Sequence, residues 1–317
     1  MITLLDFEKP IAKMEAKIEE LKKLSSAEGM NLQSEIEKFQ QQIFDYKAEL
    51  YGNLTPIQKL QIARHPERPS FLDYVGLMTT DFVEFHGDRE GTDDRAIIGG
   101  IARLNGRPVM IIGTQKGKST KENLIYNFGM PQPQGYRKAL RLFNYADRFN
   151  MPIVTLIDTP GAYPGIKAEE TAQGIAIATN LKERAKLKVP TSAGITGEGC
   201  SGGALGLAVS NRVLMLEHSY YTVFSPEGCA SILYRDASYA ATAADVLKIT
   251  ADDLMKLNVI DEIVKEPLGG AHYDQQYMGE LLKECILKHL NELETMTSEE
   301  LRSDRYSKFR RMGVFNS

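Results

Sequence analysis

From Pro56 onward the chain is a succession of short apolar runs, each broken off by glycine or proline and most followed by a stretch of helical periodicity. Runs of this length with β-branched residues predict strands at 96–104, 109–113, 153–157, 213–216 and 220–224, with a weaker, more polar candidate at 189–196. Helical spacing predicts helices at 135–149, 168–187, 202–210, 226–233, 251–257 and 278–293, followed by a charged tail. Thr250 suits the N-cap of the fifth helix, and Ser225-Pro226-Glu227 reads as N-cap, first-turn proline and first-turn acid. Strands that alternate with helices bury their faces by layering, so the fold class is α/β.

The first fifty residues differ in kind. Leu32, Ile36, Phe39, Ile43, Tyr46 and Leu50 recur in alternating steps of four and three, which makes a heptad seam. Ile11, Met14, Ile18, Leu21 and Leu24 form a similar stripe upstream, and residues 25–29 (Ser-Ser-Ala-Glu-Gly) separate the two. An antiparallel helical hairpin over 1–54 is therefore expected, ahead of one domain over 55–317. The seam serves equally to pack on its own domain or to join another subunit, because both need the same stripe.

Several function classes drop out. A formal charge of −4 and a pI near 5.9 give no broad nucleic-acid footprint. Cys200, Cys229 and Cys285 include no C-x-x-C pair and no attendant histidine cluster, so neither a disulfide framework nor a zinc site is expected on this chain, and a reducing compartment fits. The opening MITLLDFEKP lacks the features of a signal peptide, and no stretch of 18 uncharged apolar residues occurs. A soluble, cytoplasmic protein is expected. GTQKGKST (113–120) imitates a phosphate-binding loop but is one residue short, which turns the amides of so tight a nest off their target. Asp158-Thr159-Pro160-Gly161 likewise imitates a GTPase turn.

Two turns carry more glycine than packing needs: 158–165 (DTPGAYPG) and 197–206 (GEGCSGGALG), each between a strand and a helix. Glycine permits unusual φ and close approach of backbone to a ligand. A helix start adds unpaired N–H groups and a positive dipole end. Together they suit a main-chain oxyanion hole, with Gly202 and Gly203 as donors and Gly206 as a packing residue. Neither turn contains a Ser–His pair, a metal cluster or a carboxylate pair in acid/base spacing. The species stabilised would then be an enolate or ureido anion, with the base supplied by substrate or cofactor. Lys116, Lys118 and Lys121 read as a solvated face or an anion lure; Arg137 and Lys138 open a helix and so require a bound anion or an acidic neighbour; His272 reads as structural.

The chain resembles, almost end to end, the alpha subunit of the bacterial and plastid type acetyl-coenzyme A carboxylase carboxyltransferase. The marks are RPSFLDYV (68–75), FHGDR (85–89), GGIARLNGRPV (99–109), KGKSTKEN (116–123), NFGMPQPQGYRKALRL (127–142), IDTPGAYPG (157–165), GEGCSGGALG (197–206), SPEGCASIL (225–233) and EPLGGAH (266–272). The resemblance implies a crotonase-like ββα superhelix that moves a carboxyl group from carboxybiotin to acetyl-CoA, giving malonyl-CoA for fatty acid synthesis. It implies a beta-subunit partner in an α₂β₂ assembly, that partner bringing zinc and most CoA contacts, together with a biotin carboxyl carrier protein and biotin carboxylase. RNA binding is not indicated, and the compartment is cytoplasm or plastid stroma. By position, the amides of Gly202, Gly203 and Ala204 would bind the ureido oxygen, Gly161 and Ala162 would line the opposite wall, and Gly199, Ser201, Tyr163 and Lys118 would contact biotin.

The chain departs from the family pattern at Cys200 and Ala172, where glycine is usual, at Ile175, and along the polar stretch 191–196. If position 200 requires positive φ, its cysteine is strained. Two other readings stay open: a non-catalytic scaffold of the same fold, which Cys200 and the polar stretch favour, and a self-sufficient hydratase or decarboxylase, which lacks an evident glutamate pair.

Overall fold

The computed structural model describes residues 3–28 and 32–313. In chain order its helices are α1 (Lys9–Glu28), α2 (Gln33–Gly52), α3 (Pro56–Ala63), α4 (Phe71–Met78), α5 (Thr120–Ile125), α6 (Pro133–Arg148) and α7 (Ile166–Glu170). There follow α8 (Gln173–Lys186), α9 (Ser201–Ala208), α10 (Pro226–Leu233), α11 (Ala240–Leu247), α12 (Ala251–Lys256), α13 (Gln275–Leu293) and α14 (Ser298–Arg310). The strands are β1 (Thr79–Glu84), β2 (Ile97–Leu104), β3 (Arg107–Thr114), β4 (Ile153–Thr159), β5 (Thr191–Cys200), β6 (Arg212–Leu216), β7 (Tyr220–Thr222) and β8 (Glu262–Val264).

Among the described residues they form one sheet of order β1-β2-β3-β4-β5-β6-β8, with β7 pairing to β5 beyond the end of β6. β1, β2 and β3 pair antiparallel, and β3 through β8 are parallel. Asn105 and Gly106, both at positive φ, close the β2–β3 hairpin in the manner of a two-residue primed turn. Each face of the sheet is covered by apolar side chains. On one, Tyr136, Leu142 and Phe143 of α6 meet Ile112, Ile153, Ile157 and Leu207. On the other, Tyr74 of α4 and Leu282 and Ile286 of α13 meet Ile111, Val154 and Leu214.

The hairpin forms with the expected polarity. Ile11, Ile18, Ile36 and Ile43 are buried against one another, Lys47 bonds Glu15 at 2.7 Å and Lys17 lies over the Phe39 ring. Contrary to the expected break at 25–29, α1 continues through Glu28, and Gly29 lies outside the described residues.

Three other expectations are corrected. The weak strand 189–196 is the ten-residue β5, every position of which is buried at the centre of the sheet. Its polar groups find partners: Thr191 Oγ1 accepts from the Asn211 amide, and Thr196 Oγ1 donates to Ile157 O. Its small residues let neighbours close in, since a Cβ on Gly194 would stand 3.1 Å from Leu156. The helix expected at 168–187 is two helices, because Ala172 takes the left-handed conformation (φ 70) and ends the ladder. The charged tail folds as α14, with a Thr297–Glu300 capping box and Leu301, Arg305 and Lys308 buried. Arg305 donates to the carbonyls of Arg184, Leu187 and Val189, capping α8 from a distance in sequence of more than 110 residues.

Candidate functional site

Both glycine turns leave the carboxyl ends of adjacent parallel strands, where open α/β sheets place their sites. At the end of β4, Thr159 folds the first turn on itself: its Oγ1 accepts from Gly161 N at 3.1 Å and donates to Gly161 O at 2.9 Å. Gly161 sits at φ 138, a conformation that favours glycine. The second stretch is not a loop. β5 runs through Gly199 to Cys200, and Ser201, at φ 59, turns the chain directly into α9.

The two stretches touch. A Cβ added to Gly203 would lie 2.4 Å from Ala162 N and 2.5 Å from Gly161 C, so Gly203 is glycine because the first turn occupies its side-chain space. The amides of Gly202 and Gly203 belong to the first helical turn and have no intrahelical partner. Among the described residues no loop carbonyl or side chain takes them up either. Ala204 is fully buried beside them, and Tyr136 donates to Gly203 O at 3.2 Å. Gly206 is held to glycine by the Tyr136 ring, 2.8 Å from where a Cβ would be, which fits its packing role. The structure therefore brings Gly161, Ala162, Gly202, Gly203 and Ala204 together.

The remaining expected residues fare differently. Gly199 stays in the sheet, paired with Thr159 and Tyr221. Ser201 and Gly202 line an apolar cavity of about 430 Å³ whose other walls include Leu205, Tyr221, Leu254 and Phe309. The Tyr163 ring folds over Gly165. Lys118 is exposed and bonds Asp73 at 2.8 Å. Cys200 is not strained: its φ is −114, in ordinary extended backbone, and burial, followed by nearby Glu198, pushes its thiol up to about 11. Positive φ falls instead on Ser201 and Ala172.

The sequence reading missed an ion cluster. Asp158 and Glu198, one from each glycine stretch, are both bonded by Lys116 Nζ at 2.7 Å. The Glu198 amide also donates to Asp158 Oδ1 at 2.8 Å. That bond follows from a bulge: Ile157 pairs with Ile195 but Thr159 with Gly199, so β5 uses four residues where β4 uses two. Gly197 is glycine because the Asp158 carboxylate lies 2.5 Å from where its Cβ would be. Arg64 Nε reaches Glu198 at 2.7 Å and its other arm reaches Glu227 at 2.6 Å, while Tyr220 OH donates to Glu198. Burial pushes the Glu198 carboxyl up, but Lys116 and Arg64 overcome it and hold the group down at about 2. Burial likewise opposes the charge on Lys116, and the two carboxylates outweigh it and raise its pKa. Arg64, Arg68, Lys116, Lys118, Phe128 and Pro160 line a polar cavity of about 370 Å³ at this cluster. The signal was a charged residue at the carboxyl end of each of three successive strands: Lys116 two residues past β3, Asp158 in the last two residues of β4 and Glu198 near the end of β5.

Cations that open α6 have the acids they require: Arg137 meets Asp88 at 3.0 Å and Glu90 at 2.9 Å, and the fully buried Lys138 meets Asp93 at 2.5 Å. Ser225 caps α10 by accepting from Gly228 N. His272 stacks on His65 with ring centres 3.8 Å apart, and burial, then His65, lowers it to about 3, as befits a neutral structural ring.

Comparison with known proteins agrees with this architecture. A family model described as "Acetyl co-enzyme A carboxylase carboxyltransferase-like" matches residues 4–313. The acetyl-coenzyme A carboxylase carboxyl transferase subunit alpha of Prochlorococcus marinus (strain NATL2A) is 53% identical over 98% of this chain and 95% of its own length. That of Synechococcus elongatus is 50% identical over the same shares. Among solved structures, a Pseudomonas malonate decarboxylase hetero-tetramer in complex with coenzyme A superposes with a TM-score of 0.59 at 16% identity, over 77% of this chain and 98% of that one. Transcarboxylase 12S gives 0.58 at 19% identity, over 70% and 41%. The fold is crotonase-like. Among the described residues no helix is long and apolar enough to cross a membrane. The chain belongs to the acetyl-coenzyme A carboxylase carboxyltransferase alpha-subunit family.

Proposed function

We propose that this chain carries out its half of carboxyl transfer from carboxybiotin, held on a biotin carboxyl carrier protein, to acetyl-CoA, and that it does so only when joined to a beta subunit in an α₂β₂ assembly in the cytoplasm. Biotin carboxylase would recharge the carrier. The observation that carries the reading is the pair of unengaged amides at Gly202 and Gly203, walled by Gly161 and Ala162. Two N–H groups at a helix start fit one anionic oxygen, and the dipole end favours its charge. The apolar cavity beside Ser201 and Gly202 suits a ring with a polar edge. When bound, carboxybiotin would supply the carboxyl group and, after its departure, the nitrogen base for the acetyl methyl.

This chain's residues would then position rather than react. The Gly202 and Gly203 amides hold the oxygen where charge develops, a role for which one donor contributes roughly 10²–10³ in rate. Ala204 and the first turn keep water from that oxygen. Lys116, bonded to both stretches, fixes the distance between them. Lys118 is tied to Asp73 and would lend only charge at the rim. We also read residues 1–54 as a unit distinct from 55–317, because the seam of the hairpin closes on itself around Ile11, Ile18, Ile36 and Ile43, with Ile62 as a link to the rest of the chain.

The test is biotin-dependent decarboxylation of malonyl-CoA by the chain mixed with a cognate beta subunit. Activity is expected only with both chains present. Gly202→Ala should be tolerated, since the nearest side chain would be 3.6 Å away. Gly202→Pro deletes one donor and should lower kcat roughly 10²–10³-fold; because a proline there also disfavours the φ of 59 at Ser201, assembly with the beta subunit is measured alongside. Turnover by this chain alone, or full activity in Gly202→Pro, would overturn the reading. No turnover with a competent partner would favour a scaffold.

A further inference from the structure

At the far edge of the sheet, away from the glycine stretches in strand order, β8 lies under α13. Cys285 and His289 are four residues apart on that helix, so they share one face. Both are buried, at 8% and 6% exposure, and Glu262 of β8 comes up against them. One donor atom from each of the three lies within 4.8 Å of the others. His289 Nε2 meets Glu262 Oε2 at 2.7 Å. Its other nitrogen, Nδ1, is buried without a hydrogen bond and lies 3.4 Å from the Glu292 carboxylate. Nothing in the carboxyl-transfer reading uses any of these groups.

We infer that Cys285, His289 and Glu262 form a binding site for a divalent metal of the zinc class. Thiolate, imidazole and carboxylate together select a borderline-soft ion over magnesium or calcium. A tetrahedral zinc with these ligands and one water needs donors roughly 3.3–3.8 Å apart, given bonds of about 2.0–2.3 Å. Small side-chain rotations bring a 4.8 Å spread to that size. Glu292 occupies the place of the carboxylate that commonly orients a ligating histidine through its second nitrogen. Lys288, whose ammonium bonds Glu262 at 2.8 Å, is the cation that the metal displaces. On binding, the Cys285 S–H proton passes to solvent, a metal–sulfur bond forms, and no electron changes hands. The ion would staple α13 to the last strand of the sheet. Cysteine spacing hid the site from the sequence reading, because two ligands follow a C-x₃-H helical pattern and the third comes from a strand 23 residues earlier.

The experiment is titration of the chelator-treated full chain with cobalt(II), followed by thiolate-to-cobalt absorption in the near ultraviolet and by displacement with zinc. One equivalent should saturate the signal. Cys285→Ser and His289→Ala should abolish it, Glu292→Gln should weaken binding about 10- to 100-fold, and Lys288→Ala, at a side chain 56% exposed, should tighten it. Absence of a saturable signal in the native chain overturns the site. So does a signal that survives Cys285→Ser, which would place the thiolate at Cys200 or Cys229. Because a core substitution can unfold the chain, Lys288→Ala is the deciding variant: unchanged affinity there rejects the Glu262 ligand.

Discussion

The two glycine stretches look alike in sequence and are opposite in structure. The first is a true loop whose Gly161 adopts φ 138 with nothing within 4 Å of a would-be Cβ. It needs glycine for backbone freedom. The second has no loop at all, and its Gly203 has an ordinary φ but no room, since Ala162 N fills the space. It needs glycine for want of volume. A glycine-rich run therefore reports that a side chain is excluded without saying whether torsion or crowding excludes it. What joins the two stretches is charge: Asp158 from one and Glu198 from the other close on a single lysine.

Removing that lysine is the hardest blow to the arrangement. Lys116→Met strips Asp158 of its cation and leaves it facing Glu198, which keeps only Arg64, in a site where Glu198 is 7% exposed; breaking a buried pair in this way costs about 3–5 kcal/mol. Urea unfolding of the chain at neutral pH should show the loss, and transferase activity should fall with it as the stretches part. Acid tests the same contact from the other side. Glu198 is held down at about 2 in the folded chain, below the ordinary value near 4.3, so its ion pairs stabilise the fold above about pH 4. That stability should drain away as pH falls from about 4 toward 2. Glu266, paired with buried Arg68, is held equally low and adds to the same window. In Lys116→Met, acid should destabilise less steeply, because the site then favours a protonated carboxyl. An identical pH profile in the two proteins would show that Lys116 does not set the Glu198 charge.

Crowding can be separated from torsion with a methyl group. Gly203→Ala pushes into the Ala162 amide and should cost about 1–3 kcal/mol through overpacking, with a fall in activity as the two stretches are forced apart. Gly202→Ala, one residue earlier and facing a cavity, should cost a few tenths of a kcal/mol at most by thermal unfolding. Equal effects at the two positions would show that the stretches are not in contact in solution.

Much of the layered sheet was legible because apolar runs with β-branched residues have few other places to go. The strands 96–104, 109–113 and 153–157 appear as β2, β3 and β4 almost to the residue. Strand β5 reads as weak in sequence because it is polar, yet its threonine, serine and glycine are what the centre of this sheet requires: small volume beneath α13 and hydroxyls whose partners lie far off in sequence. β1 has no buried position and only Phe82 and Val83 as apolar residues, so it shows no apolar run, and β8 at three residues is too short to show a period. The charged tail hid α14 because its buried residues include Arg305 and Lys308, whose charges are met by carbonyls and Asp261 brought in by the fold. At the site, glycine marked the backbone donors, while the Lys116 cluster needed three strands to be set side by side before it existed. The resemblance to a known family supplied the substrate, and the residues alone had gone only as far as an anionic oxygen.

The smallest expected effect concerns Ala172, which takes a left-handed conformation, φ 70 and ψ 52, at the start of α8. An L-residue there is disfavoured by roughly 1–2 kcal/mol, and glycine is not. Glycine in turn loses more freedom on folding, by about 0.4–1 kcal/mol. The difference favours Ala172→Gly by between about 0 and 1.6 kcal/mol, or on the order of 2 °C in Tm at mid-range for a chain of this size. The break also has a use that the substitution preserves: it frees Thr171 O to accept from Arg137 at 3.2 Å, and Arg137 in turn holds Asp88. A rise in Tm with unchanged activity is therefore expected, in contrast to the loss at Gly203, where an added methyl meets atoms instead of torsional strain. Were Ala172→Gly to lower Tm, freedom lost from the unfolded chain would outweigh strain at this position, and the torsional half of the comparison would have to be reassigned to Gly161 alone.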